Sequence, residues 1–419
     1  MSEKRRRFGT GGRLASIALG ALAIAWLTAP AFAADKIVKV GILAQLTGKA
    51  SADAQQSVQG AQWAIDEANK AGGIAGYKFQ LEIADVKDGA AADVTSAAQR
   101  LLGDPDIHFM MTGYANLTGF EVDLMKEADM PYMLEISSKQ LREIISADPS
   151  QYWCCWSITP SFDGYGTGVL PFVEKLEADG KLKLKNHKIA VITSDNEYSR
   201  TIAEKVKELF AAAGWTITLD EMVPYGEVTD WGSILAKIRQ DQPAFIMNTD
   251  YLPGNSASFL NQFMEQPTDS LVFLQYAPAV PEFTDLTGSR STGVVYDLLG
   301  SMVSTLPISQ KLMGEFKERY EVESGPYGVG LYWIMQIYFD ALKKVGDPTK
   351  HEEIGLAIGQ TDVLAPQGRM KFDPNTHLTI QDDQHLPLLF FQIRDGKRVL
   401  IGPSQYAEGD FQLPPWMKK

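Results

Sequence analysis

Between Ile37 and Gln275 the chain alternates short apolar runs with longer amphipathic ones, and this rhythm restricts the fold more than any other feature. Ile37-Val-Lys-Val-Gly-Ile-Leu-Ala44 reads as a strand. A helix is expected from about residue 55 to 71, because Val58, Ala61, Ile65 and Ala68 recur at helical spacing and Gly72-Gly73 stops it. Residues 79–83 alternate as a strand. Helix 90–102, strand 107–112, helix 118–128 and strand 131–136 follow. Strand–helix–strand repetition of this kind predicts a parallel sheet with helices on both faces.

A second unit of similar size begins near Phe162. Helix 164–178 leads to Lys188-Ile-Ala-Val-Ile-Thr193, a run apolar enough for a strand buried on both faces. Helix 198–213, strand 215–223, helix 230–239, strand 244–248, helix 255–265 and strand 271–275 continue the pattern, and 331–345 reads as a buried helix. No Pro/Ser-rich linker separates the two units. The fold class expected is therefore α/β, with two doubly wound lobes of parallel-type sheets that share crossings.

The N-terminus reads as an export signal. Lys4, Arg5, Arg6, Arg7 and Arg13 precede an apolar stretch, residues 14–29, which is shorter than the roughly 20 residues a spanning helix needs. Ala31-Phe32-Ala33 fits a signal-peptidase site, which predicts residues 1–33 as a cleaved signal peptide and a periplasmic protein. Arg5-Arg6-x-Phe8 also resembles a twin-arginine signal, so both export routes stay open. The whole chain carries a formal charge of −13. Without the leader the charge is more negative, which argues against nucleic acid and anionic membranes as partners.

Other chemistries lack their motifs. There is no Gly-x-Ser-x-Gly elbow, no His-Glu-x-x-His and no phosphate loop, so an enzyme is not expected. His108, His187, His351, His377 and His385 show no ligand spacing, and neither metal nor cofactor is expected. The two cysteines are adjacent, Cys154 and Cys155. Neighbouring Cα atoms lie about 3.8 Å apart, below the usual disulfide range of roughly 4.4–6.8 Å. Two small apolar side chains on opposite faces of one strand are the simpler expectation.

At this level of detail the chain resembles the periplasmic branched-chain amino-acid-binding proteins, receptors of ABC importers with the type I periplasmic-binding fold. The resemblance rests on Val38-Lys-Val-Gly-Ile-Leu-Ala-Gln-Leu-Thr-Gly48, Gly60-Ala-x-x-Ala-Ile-Asp-Glu-Ala-Asn69 and Ala71-Gly-Gly-Ile-Ala-Gly76. Asp195-x-x-Tyr198, Gly325-Pro-Tyr327 and Gly368-Arg-Met-Lys-Phe-Asp-Pro-Asn375 continue it in family order. It implies lobe one at 35–158 plus 300–366 and lobe two at 161–297 plus 373–405, with hinge crossings near 158–160, 297–301 and 364–372. The tail, 406–419, goes beyond the family pattern. The partners implied are a small-molecule ligand and a membrane permease, with the protein a monomer. A sensor of the same fold, signalling to a partner protein, is the alternative.

The resemblance also implies where the ligand sits. In lobe one, the loop Tyr114, Asn116, Leu117, Thr118 precedes a helix whose free N–H groups favour an anion. Glu135, Ser137 and Ser138 form the second loop, although Ser137 and Ser138 could equally cap the next helix. In lobe two, Tyr198 and Tyr251 are expected to close over the ligand. Family members that bind α-amino acids place an acid after the strand 271–275, whereas this chain has Gln275-Tyr276-Ala277-Pro278. Asp250 or Glu135 could hold an ammonium instead. Alternatively Tyr114, Tyr251 and Tyr276 could line a pocket for an amine-free aromatic acid or amide. A family tryptophan in the first loop is replaced by Lys49-Ala-Ser-Ala-Asp53.

Overall fold

The computed structural model describes residues 36–382 and 384–417. The expected signal peptide lies outside these residues. The first sheet is parallel throughout, in the order β2(77–85)-β1(36–44)-β3(107–112)-β4(132–134)-β5(155–157). Helices α1(51–70), α2(91–102), α3(121–127) and α4(139–147) connect its strands. Val40, Ile42 and Leu43 of β1 are wholly buried on alternate faces, as a strand with helices on both sides requires.

The second sheet has α5(163–178) before it and runs β14(397–402)-β13(388–394)-β10(295–299)-β9(271–274)-β8(245–248)-β6(188–194)-β7(216–223). Helices α6(197–212), α7(232–241), α8(253–263) and α9(281–287) connect its parallel strands. The strands β13 and β14 are antiparallel, so this lobe is mixed rather than purely parallel. A tight hairpin can only be antiparallel, and Asp395-Gly396 form its two-residue turn at positive φ.

Between the lobes the chain crosses three times. α10(307–320), α11(326–345) and α12(351–359) return to the first sheet. There α11 lies against α1 so closely that a Cβ on Gly60 would sit 1.9 Å from the Gly328 carbonyl oxygen. The Trp63 and Tyr332 rings meet beside this point at 4.0 Å, tilted by 33°, and both donate to Glu67 at 2.8 Å. The small hairpin β11(362–365)–β12(368–371) spans most of the last expected crossing, 364–372. All three crossings touch. Ser157 N–H donates to the His377 carbonyl at 3.0 Å, and Gly300 packs on Thr159.

Two expectations need correction. Cys154 and Cys155 are buried free thiols, but they do not sit on opposite faces of a strand. Cys154 still belongs to the turn before β5, so the two sulfurs lie side by side, 3.1 Å apart. Helix α1 begins at Ser51 rather than near Gln55, because Ala-Ser-Ala is helix-compatible although Ala50 provides no side-chain cap. The C-terminal tail straps the second lobe. Trp416 donates to the Ser270 carbonyl at 2.9 Å, and Pro414 lies over Gly293, where a Cβ would come within 2.8 Å. Among the described residues no helix is long and apolar enough to cross a membrane.

Candidate functional site

Both sheets contain the order second-first-third-fourth-fifth strand of a doubly wound unit. Such a sheet opens a crevice at the carboxyl ends of its strands, where the order reverses. The two crevices face one another and enclose a cleft of about 580 Å³, part of it open to solvent. The central strand ends of both lobes contribute. Asp53 follows β1, Tyr114 and Leu117 follow β3, and Glu135 and Ile136 follow β4. Thr159, Pro160 and Phe162 follow β5, with Tyr165 in α5. From the other lobe come Tyr198 after β6, Tyr251 after β8, Tyr276 after β9, and Leu298 and Leu299 of β10. Ser301 and the start of α11, Pro326 and Tyr327, complete the wall.

The rings fall into two contacting groups. Tyr198 meets Phe162, Tyr165 and Tyr251 edge-on at 5.2, 5.7 and 5.4 Å, Tyr251 meets Tyr276 at 6.5 Å, and Tyr114 meets Tyr327 at 5.4 Å. Tyr276 reaches the cleft through an unusual backbone. Its φ of 59° and ψ of −52°, with Ala277 N–H donating to the Gln275 carbonyl at 2.6 Å, make a γ-turn of the rare strained hand. Strain of this kind costs on the order of 1–3 kcal/mol and persists where surrounding contacts impose it.

Two carboxyl groups share this aromatic surface. Asp53 Oδ2 accepts from the Tyr276 hydroxyl at 3.0 Å and from Tyr114 at 3.4 Å, so it joins the two lobes. Desolvation raises Asp53 to about 7, against the opposing effect of those two hydroxyls. Glu135 is 3% exposed, and its Oε2 has no hydrogen-bond partner. Gly330 of α11 leaves room for it, since a Cβ there would lie 2.1 Å from Oε1. Burial, and then the neighbouring Asp53 charge, push the Glu135 carboxyl well above its usual range. Among the described residues lining the cleft there is no Lys, Arg or His. Lys49 lies over the Tyr225 ring at 4.9 Å, and Tyr225 in turn bonds Tyr251 through its hydroxyl at 2.8 Å.

Of the residues singled out in the sequence, Tyr114, Leu117, Glu135, Tyr198, Tyr251 and Tyr276 come together in the cleft. The others are engaged elsewhere. Asn116 Oδ1 accepts from the Thr118 N–H and hydroxyl, and its amide donates to the Gly89 carbonyl at 2.6 Å. Ser138 is the N-cap of α4, accepting from Leu141 N–H at 2.8 Å and donating to the Thr118 carbonyl at 3.0 Å. Ser137 bonds Ser157 and the Thr159 carbonyl in the crossing. The side chains of Asn116, Thr118, Ser137 and Ser138 therefore brace the two loops and do not line the cleft.

Asp250 is also off the cleft wall. Its carboxylate accepts from Leu252 N–H at 3.0 Å and from the Asn255 amide at 2.7 Å, which ties down the start of α8. Burial nevertheless raises it to about 6. No acid follows β9; Asp53, which the sequence reading treats only as part of a replaced tryptophan loop, lines the cleft from lobe one and meets the turn after β9 through Tyr276. Tyr165, Phe162 and Tyr327 were also passed over. Their common signal is a position just past a strand end or at a helix start facing it. Among the described residues no His/Cys/Asp/Glu group is arranged to hold a metal ion.

Known proteins share this architecture. The Periplasmic binding protein family profile matches residues 37–397. The Leu/Ile/Val-binding protein homolog 8 of Brucella suis biovar 1 (strain 1330) is 25% identical over 416 residues, covering 94% of this chain and 98% of its own. A crystal structure from Silicibacter pomeroyi, described as a branched-chain amino acid ABC transporter, superposes with a TM-score of 0.82 and 31% identity, covering 91% of this chain and 100% of that one. A solute-binding protein from R. palustris in complex with benzoate superposes at 0.72 with 16% identity, over 90% of this chain and 99% of that one. With two doubly wound lobes around one cleft and a family match over most of its length, the chain belongs to the periplasmic binding protein family.

Proposed function

We propose that the protein is the extracytoplasmic receptor of an ABC importer, and that it captures a small polar solute, of the size class of an amino acid, by closing two lobes over it. The observation that carries this reading is the Asp53–Tyr276 bond, in which a carboxylate of one lobe meets a hydroxyl of the other inside a cleft built from strand ends of both. Further ties flank it. Arg142 pairs with Asp163 at 2.9 Å, Arg398 reaches Glu323 at 3.5 Å, and Lys49 covers Tyr225. In this reading lobe one is 35–158 plus 300–366, lobe two is 161–297 plus 373–405, and the three touching crossings are the hinge. Lobe closure selects the ligand, and the closed form is what a membrane permease recognises.

The proposal includes export with cleavage after Ala33, and a monomer in the periplasm. Mass spectrometry of the protein from its native host should show Ala34 as the first residue. The receptor reading is tested by thermal-shift screening against amino acids, amides, aromatic acids and organic ammonium ions. A ligand at 100 times its dissociation constant stabilises by about 2.7 kcal/mol. Small-angle scattering should then show a smaller radius of gyration with that ligand. An unchanged radius at saturation rejects lobe closure. Tyr198→Ala removes a buried ring from the lobe-two wall and should weaken binding by about 2 kcal/mol, roughly thirtyfold.

A further inference from the structure

We infer that the group recognised in this cleft is a cationic nitrogen, and that the solute is an organic ammonium ion whose binding does not depend on a carboxylate. The inference rests on the receptor reading above and names its substrate class. Three features of the cleft carry it.

The first is the charge inventory. Asp53 and Glu135 both line the cleft, and no Lys, Arg or His among the described residues does. A ligand carboxylate placed there meets two acids and no counter-charge. An ammonium ion meets two partners, and it removes the mutual repulsion that adds to the cost of ionising Glu135. Asp297, wholly buried in β10, adds a third acid to the field felt by Tyr165 and Tyr198.

The second is an unfilled valence. Glu135 is 3% exposed, and its Oε2 has no partner while the side chain lines the cleft. Buried carboxyl oxygens are ordinarily bonded, so a donor from a bound solute would complete it. Three of the backbone groups in the loops expected to hold a carboxylate are already engaged. Glu135 and Ile136 N–H donate to the carbonyls of Thr112 and Gly113, and Thr118 N–H to Asn116.

The third is the wall itself. Six tyrosines, Tyr114, Tyr165, Tyr198, Tyr251, Tyr276 and Tyr327, surround the space. Aromatic faces attract cations through their quadrupole, most strongly when water is excluded, and aromatic boxes are a general solution for ammonium groups. A ring wall alone would suit any apolar body. Combined with acids and no bases, it favours a positive one.

The test compares the protein's affinity for choline with that for choline's neutral isostere, in which carbon replaces the quaternary nitrogen. Tetramethylammonium, butylammonium, isoleucine and benzoate complete the set, read by calorimetry and scattering. The expected result is binding of at least one ammonium probe, with the neutral isostere at least tenfold weaker where choline is that probe. Asp53→Asn and Glu135→Gln should each weaken the ammonium probe by roughly thirtyfold, the smaller end of the loss when one partner of a buried charge pair is removed. The isostere comparison uses the unaltered protein, so it stands even if a variant folds poorly. Equal binding of choline and its isostere, or no binding by any ammonium probe, overturns the inference. Contraction with isoleucine or benzoate alone would overturn it too and leave the receptor reading standing. A set in which nothing changes the radius would remove both.

Discussion

Glu121, at the start of α3, should make the protein lose stability as pH rises, and Glu121→Gln should abolish that loss. The carboxyl is 1% exposed, Oε1 accepts from Tyr132 at 3.2 Å, and Oε2 has no partner. Desolvation raises it from 4.5 to about 7. The folded state therefore holds its proton more tightly than the unfolded chain does. Between about pH 4.5 and 7 the unfolded chain ionises freely while the fold keeps the proton, so stability falls with rising pH across that window. At about 1.4 kcal/mol per pH unit, the full loss by pH 8.5 is about 3 kcal/mol. Glutamine has nearly the shape of the protonated acid and no titration. The stability of the variant relative to wild type, from urea unfolding, should thus rise by about 3 kcal/mol between pH 4.5 and 8.5. Taking the difference cancels the titrations of Asp53, Asp250 and the histidines. A difference that stays flat with pH would refute the claim that this acid is buried at a cost.

Gly60→Ala places a Cβ against the Gly328 carbonyl, and should cost about 1–3 kcal/mol or more by separating α1 from α11, measurable by thermal melting. Trp416→Ala should cost roughly 2 kcal/mol, since a half-buried ring and its bond to Ser270 both go, and unfolding by urea would report it. The His108–His351 contact should weaken the fold on acidification. The Asp129 carbonyl can only accept, so His351 Nδ1 carries the proton, and its bare Nε2 accepts from His108 Nδ1 at 3.1 Å. Burial holds both rings below 6.5, although Asp106 and Asp347 oppose this at His108. Their contribution is present above pH 6.5 and is lost as pH falls through the lowered values. A His108→Gln, His351→Gln double variant should therefore lose less stability than wild type between pH 7 and 5, by melting temperature.

Much of the architecture was legible because period is a local property. Strands such as 188–194 and helices such as 197–212 announce themselves by which residues are apolar, and the switch-point rule then places the cleft before any side chain is considered. Small polar residues near strand ends were not legible in the same way. Ser138 and Asn116 look alike whether they face a ligand or cap a helix, since one hydroxyl or amide serves both purposes. In the structure Ser138 caps Leu141, and Asn116 bonds Thr118 and Gly89. Asp250 is ambiguous for the same reason, because an Asx-type bond to Leu252 needs only two residues of chain.

The two departures from the family pattern meet in the structure. The first loop lacks the expected tryptophan and carries Asp53, and the turn after β9 lacks the expected acid and carries Tyr276. Each departure alone weakened the case for an amino-acid site. Together they form one contact, because the Tyr276 hydroxyl donates to Asp53 at 3.0 Å. The acid has in effect moved from one lobe to the other, and a strained γ-turn turns the tyrosine to meet it. A sequence read position by position against its relatives registers two losses. The folded chain shows an exchange that keeps a carboxylate in the cleft, brings it under two tyrosine hydroxyls, and makes it a tie between the lobes. Under the receptor function proposed above, selectivity and closure depend on the same side chain, so a solute that competes for Asp53 must replace the Asp53–Tyr276 bond between the lobes.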